Sequence, residues 1–219
     1  MSIISSSRCR STGLWNSSES MESCKRFRSS TCTGCYASNS NKRWKNVLPA
    51  FNARVAHAWQ ALSVNEFNAI WQRKKDQTRF RMAKQGECLC DYAHIHNVWH
   101  IVLSNPQTLW WIPTRAWKDT LLRQRIDKIR ELPNARVMAS IDVDYMTRKA
   151  VPSLLSDGWK LLFSSPGKQA NTPGFPESMF GVPFALCEKT WNADHIKDVC
   201  LHCARGCFNR ENTHLHWHK

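Results

Sequence analysis

Four cysteines in the order Cys187-x12-Cys200-x2-Cys203-x3-Cys207 are the residues with the most evident chemistry in this sequence. Thiolates are soft ligands. Four of them, three within eight positions, suit a tetrahedral zinc ion or an iron-sulfur cluster better than a pair of disulfides. Cys-x2-Cys-x3-Cys is tighter than most zinc ribbons, whose two Cys-x2-Cys knuckles lie farther apart, so the spacing favours a cluster and leaves zinc as the alternative. A second set, Cys24-x7-Cys32-x2-Cys35, is followed at once by Tyr36 in a loop bearing Gly and Ser. Three thiolates are one short of a closed site. A four-iron, four-sulfur (4Fe-4S) cluster held by them alone leaves one iron open to a small molecule, and Cys9 as a fourth ligand would close it. The two sets could hold separate clusters or share one. Cys88 and Cys90 flank Leu89 on one side of an apolar run and are expected to be buried. His214, His216 and His218 alternate as in a strand and could add a ligand, although a terminal histidine-rich tail is more often solvent-exposed.

Composition sets the context for those thiols. The chain has 219 residues, 42% of them hydrophobic, which is enough for one globular domain with a full core. It contains no run of eighteen apolar residues, and Met1 to Ser7 carries no charged leader before an apolar core, so neither a membrane span nor a secretory signal is expected. In a reducing compartment, ten cysteines belong on metal or in the core rather than in disulfides. The excess of 31 Lys and Arg over 17 Asp and Glu gives a formal charge of +14 and favours polyanionic partners, nucleic acid or a host nucleic-acid enzyme. Eleven tryptophans could stack bases, but most lie in helical or strand patterns and are expected to fill the core.

The elements that must position these residues follow a β/α rhythm. A Cys- and Ser-rich segment, 1–41, leads into a β/α core, 42–187, and a Cys- and His-rich segment, 188–219. Arg43 to Thr78 reads as helical through Val47, Phe51, Val55, Ala58, Trp59 and Leu62, with Ser63 and Glu66 forming a capping box before Phe67, Ile70 and Trp71. The run Arg73, Lys74, Lys75 reads as a solvated helix end. Five short apolar runs are expected as strands: Cys88 to Cys90, Thr108 to Ile112, Arg136 to Ile141, Trp159 to Phe163 and Val182 to Leu186. Helices are expected over Asn97 to Leu103, Trp117 to Leu132 and Arg148 to Ser156, the second carrying Leu121, Leu122, Ile126 and Ile129 on one stripe and ending at Pro133. This alternation predicts an α/β fold of one domain, a partial parallel β/α barrel of about five to six strands.

In such folds the loops after the carboxyl ends of the strands gather on one face, and sites form there. Those ends carry Asp91, Arg115, Asp142, Asp144, Ser164, Ser165 and Cys187. Asp142, Asp144 and the serines are equally well explained as helix N-caps. Asp91 and Arg115 each follow an apolar run directly, and with Asp142 they are the candidates for catalytic work.

The order Cys32-Thr33-Gly34-Cys35-Tyr36-Ala37, then Trp110-Trp111-Ile112-Pro113-Thr114-Arg115, then the closing Cys-x2-Cys-x3-Cys resembles the bacteriophage gene product 88 family, from about Cys24 to Phe208. That family has no established function, so the resemblance implies a phage source, the cytoplasm of an infected bacterial host and an architecture. The early cysteine loop is also distantly similar to the cluster loop of radical S-adenosylmethionine enzymes. These build a partial β/α barrel and hold three irons of a 4Fe-4S cluster through a loop after the first strand. The chain departs from them where seven residues separate Cys24 from Cys32 and where no glycine-rich segment follows Cys88 to Asp91, which points away from S-adenosylmethionine as a cofactor. The reading that results is an iron-sulfur protein acting on or near nucleic acid. Its alternative is a non-catalytic basic module, or inhibitor of a host nucleic-acid enzyme, whose cluster or zinc is structural.

Overall fold

Runs such as Leu109-Trp110-Trp111-Ile112 are apolar on both sides, which a strand tolerates when both faces of its sheet are covered. The structure, a computed structural model, describes residues 4, 14–17, 21–27, 63–83, 86–141, 149–164, 178–179, 182–186, 207–208 and 215–218. Its strands are β1 (Trp15–Asn16), β2 (Arg79–Arg81), β3 (Leu109–Thr114), β4 (Ala135–Ile141), β5 (Lys160–Ser164), β6 (Ser178–Met179), β7 (Val182–Leu186) and β8 (Leu215–His218). They form one sheet in the order β1-β2-β3-β4-β5-β8-β7-β6. Every neighbouring pair is parallel except β6 with β7. The expected α/β class and parallel pairing are present, but among the described residues the sheet is open, with β1 at one edge and β6 at the other, and no barrel is formed.

Four α-helices are described: α1 (Val64–Trp71), α2 (Tyr92–Ser104), α3 (Thr120–Arg130) and α4 (Ala150–Ser156). All four bury apolar side chains against one face of the sheet. Phe67 and Trp71 of α1, Ile95, Val98, Ile101 and Val102 of α2, Leu122, Ile126 and Ile129 of α3, and Val151 and Leu154 of α4 join Phe80, Trp110, Ile112, Val137, Ala139, Leu161 and Phe163 in one core. The intervening strand residues, Trp111, Met138 and Leu162, belong to a second cluster with Leu14 and Phe208 on the opposite face. That division is the two-residue alternation of a pleated strand.

The main core is aromatic at its centre. Trp71 and Phe80 meet edge to face with ring centroids 5.1 Å apart, and Phe80 and Trp110 lie 5.0 Å apart. The indole N–H of Trp71 donates to Thr108 Oγ1 at 3.2 Å, so burying this large ring leaves no donor stranded. Trp15, Trp71, Trp110, Trp111, Trp117 and Trp159 are all buried, as expected of core residues. Arg73, Lys74 and Lys75 follow the end of α1, where Lys74 Nζ lies over the Trp15 ring at 4.7 Å; they form the solvated helix end read from the sequence.

Several elements differ from expectation. Cys88 to Cys90 is a turn and no strand. The strand before it is β2, which was hidden because Arg79 and Arg81 flank its single large apolar residue, Phe80. Both arginines are accommodated by rings: the guanidinium of Arg81 lies 4.7 Å from the Trp111 centroid and that of Arg79 5.2 Å from the Phe208 centroid. Helix α2 starts five residues earlier than Asn97, because Asp91 caps it. The helix expected from Trp117 is a 3-10 turn over Ala116–Lys118 followed by α3, which Asp119 caps by accepting from the backbone N–H groups of Leu121 and Leu122. Leu121 is 63% exposed and leaves the stripe that Leu122, Ile126 and Ile129 share. The histidine-bearing end of the chain is an inner strand, β8, whose backbone pairs with β5 on one side and β7 on the other, where a solvated tail was the commoner expectation.

Candidate functional site

The carboxyl end of β2 leads into a loop that gathers polar groups. Ala83, at φ +48°, donates its backbone N–H to Ser17 Oγ at 3.0 Å, which ties the loop to the residue following β1. Gly86, at φ +78°, turns the chain through the left-handed region that glycine occupies without strain. Glu87 then points into the protein, 4% exposed. Its Oε1 accepts from Leu89 N at 3.0 Å and from Thr114 Oγ1 at 2.9 Å, and its Oε2 accepts from Arg115 N at 2.7 Å. Burial pushes the Glu87 carboxyl above its ordinary range, more strongly than the backbone N–H groups of Arg115 and Leu89, the Thr114 hydroxyl and the Arg115 charge pull it down. One buried carboxyl thus joins the loop after β2 to the end of β3.

Four residues on, at its cap Asp91, the loop enters α2. Asp91 Oδ1 accepts from His94 N at 2.9 Å and lies 2.9 Å from His94 Nδ1, while Cys90 Sγ lies 3.9 Å from Asp91 Oδ2. One donor atom from each of Cys90, Asp91 and His94 falls within 4.8 Å of the others. Partial burial raises the Asp91 carboxyl, but the backbone N–H of His94, its ring and the N–H of Ala93 outweigh that, and the net position is below the ordinary carboxylate range. Cys90 is buried, as expected, and so is Cys88.

The segment bearing Cys24 is fastened onto this edge. It is a 3-10 helix, Met21–Phe27, following β1. Glu87 N donates to Ser23 Oγ at 2.7 Å, Lys118 Nζ donates to the Phe27 carbonyl at 3.4 Å, and Arg26 pairs with Asp119. The residues it grips lie in the loops after β2 and β3, so Cys24 sits at the carboxyl edge of the parallel strands. Cys207 lies elsewhere. It packs, half-buried, against the second cluster next to Phe208, whose carbonyl accepts from Arg136 Nε at 3.2 Å. Arg136 is the second residue of β4, and the path from it to Ile141 at the strand's carboxyl end covers ~17 Å at ~3.3 Å per residue.

Of the residues singled out from the sequence, Asp91, Arg115 and Cys24 are brought to one edge. Asp91 acts there as a helix cap, and the backbone of Arg115 is held by Glu87. Ser164 ends β5, and Cys207 lies toward the other end of the sheet. Cys9, Cys32, Cys35, Asp142, Asp144, Ser165, Cys187, Cys200, Cys203 and His214 lie outside the described residues. Two residues escaped the sequence reading. Glu87 gives a signal in standing directly before the apolar Cys-Leu-Cys, and His94 in standing four residues after Cys90.

No described helix is long and apolar enough to cross a membrane. Comparison with curated proteins and with solved structures gives no significant match. A family model, gene product 88, matches residues 6–179, a stretch that includes Cys24, Glu87, Cys90, Asp91, His94 and Arg115. With well over half of its 219 residues matched, the chain belongs to the gene product 88 family.

Proposed function

We propose that this protein is an iron-sulfur protein whose N-terminal cysteines, Cys24 with Cys32 and Cys35, bind a 4Fe-4S cluster at the carboxyl edge of the sheet. The observation that carries this reading is the docking of the Cys24 segment, through Ser23, Arg26 and Phe27, onto the loops after β2 and β3. Active sites of parallel α/β folds form at that edge. It also follows the first strand, the position of the cluster loop in radical S-adenosylmethionine enzymes. A cluster ligated by three thiolates supplies an open iron to a small molecule. Around it the chain offers Arg115 and Asp91 as charged groups to orient that molecule. Cys187, Cys200, Cys203 and Cys207 make a second metal set, and the place of Cys207 toward the amino half of the strands supports two sites over one shared cluster. The formal charge of +14 supports work on or near nucleic acid.

Anaerobic purification followed by a visible spectrum and iron and sulfide counts tests the proposal. The expected protein is brown, and Cys24→Ala loses the iron and sulfide of one cluster while Cys203→Ala loses those of the other. A colourless protein holding stoichiometric zinc overturns the iron reading. Duplex binding that weakens steeply with salt is expected of the basic surface, and a flat response counts against it.

A further inference from the structure

We infer that Cys90, Asp91 and His94 form a mononuclear site for a divalent transition metal, zinc or iron(II), separate from the cysteine sets at the two ends of the chain. The inference does not rest on the cluster reading. Its basis is geometry. Two ligands of one tetrahedral zinc ion, held at 2.0–2.3 Å from it, stand roughly 3.3–3.7 Å apart. The pairs here stand at 2.9 Å for Asp91 Oδ1 to His94 Nδ1 and 3.9 Å for Cys90 Sγ to Asp91 Oδ2, with all three donors inside 4.8 Å. The two separations made by Asp91, one from each carboxylate oxygen, lie within about half an ångström of that range. Cys90 precedes the cap, Asp91 caps α2 and His94 lies in its first turn, so the three fall within one short stretch at the start of α2 and need no distant segment to complete the set.

The donor chemistry selects the ion. A thiolate, a carboxylate and an imidazole are the ligands of zinc and iron(II), whereas calcium and magnesium take oxygen alone. The first two carry one negative charge each and the third none, which balances a divalent cation. Their place before the first turn of a 13-residue helix favours both negative charges, because the unpaired N–H groups and the helix dipole present positive charge there. On metal binding the thiol proton leaves to solvent and the thiolate takes its place on the ion. Burial also fits. Cys90 is 8% exposed, the His94 side chain is 12% exposed and the Asp91 side chain 46%. The sulfur and the ring form the inner wall, the carboxylate lies on the solvent side, and a fourth position is left to water. Three protein ligands and an open position are the arrangement of catalytic zinc. The competing account is a helix cap beside a buried thiol, with Asp91 serving His94 and no ion involved.

The two accounts part in a metal count. Full-length protein stripped with chelator and reloaded with zinc is measured by native mass spectrometry beside Cys90→Ser, His94→Gln and Asp91→Asn, the last of which keeps a capping side chain. Each variant is expected to carry one zinc fewer per chain than the parent, with the iron and sulfide counts of the anaerobic protein unchanged. Equal zinc counts in all four proteins overturn the site. X-ray absorption of the zinc-loaded parent gives the same answer without any variant: the site requires a zinc population with one sulfur and three nitrogen or oxygen neighbours, and ligation by four sulfurs throughout rejects it. Loss of iron and sulfide in Cys24→Ala with this zinc retained, or the reverse, separates the failure of one proposal from that of the other.

Discussion

Glu87 is the residue with the most to lose from a change of surroundings. A buried carboxyl receiving three hydrogen bonds fixes the loop after β2 to the end of β3, and burial holds its proton affinity above that of the unfolded chain. The native state therefore binds this proton at pH values where the unfolded chain has released it, and stability falls as pH rises from the ordinary value of 4.5 through the raised one. Glu87→Gln has no proton to release. Guanidinium unfolding followed from pH 4.5 upward should give the parent a more negative slope of stability against pH than the variant, and parallel slopes would refute the raised affinity. Asp91 shows how a residue can be noticed for one reason and act for another. The sequence marked it as a polar strand end, whereas residues 82–90 separate it from β2 and it caps α2.

At the scale of elements, the helices and four of the five expected strands were legible, and the two- and three-residue strands β1, β2 and β6 were not. The stripes of α2 and α3 repeat every three to four residues, and that period belongs to the segment itself. Their starts were misplaced because a cap competes with hydrophobicity: Trp117 looks like a helix residue, but Asp119 supplies the acceptors that the first N–H groups need. Asp119→Ala removes those acceptors and the partner of Arg26, and should lower stability by about 1 kcal/mol, seen as a fall of about 2–4 °C in melting temperature for a chain of this size. An unchanged melt would mean that water caps α3 equally well. Strand β2 failed for the opposite reason, since its two arginines are apolar-compatible only once Trp111 and Phe208 come beneath them.

The molecule as a whole is held together by a strand from the end of the chain. β8 is inserted between β5 and β7, so it alone joins the β6–β7 hairpin to the β1–β5 sheet through backbone pairing among the described residues. Truncation before Leu215 should strip the inner edges of β5 and β7, giving a protein that aggregates or is cleaved readily near β7. Removal of Lys219 alone should change nothing. Limited proteolysis and size-exclusion chromatography distinguish these outcomes, and a truncated chain that stays monomeric and resistant would show that β8 is dispensable.

By itself the sequence determined the α/β class, the parallel β/α alternation from β3 to β5, the helical stripes and the burial of six of the eleven tryptophans, because each depends on the period and apolarity of a local segment. Only the tertiary structure decided the rest: that the sheet stays open among the described residues, that the histidine-bearing end is an inner strand, that Cys24 rests at the carboxyl edge while Cys207 lies toward the other end, and that Glu87 joins the loop after β2 to the end of β3. Strand order and buried polar contacts join residues far apart in the chain, and no local period encodes which distant partner will satisfy a hydrogen bond.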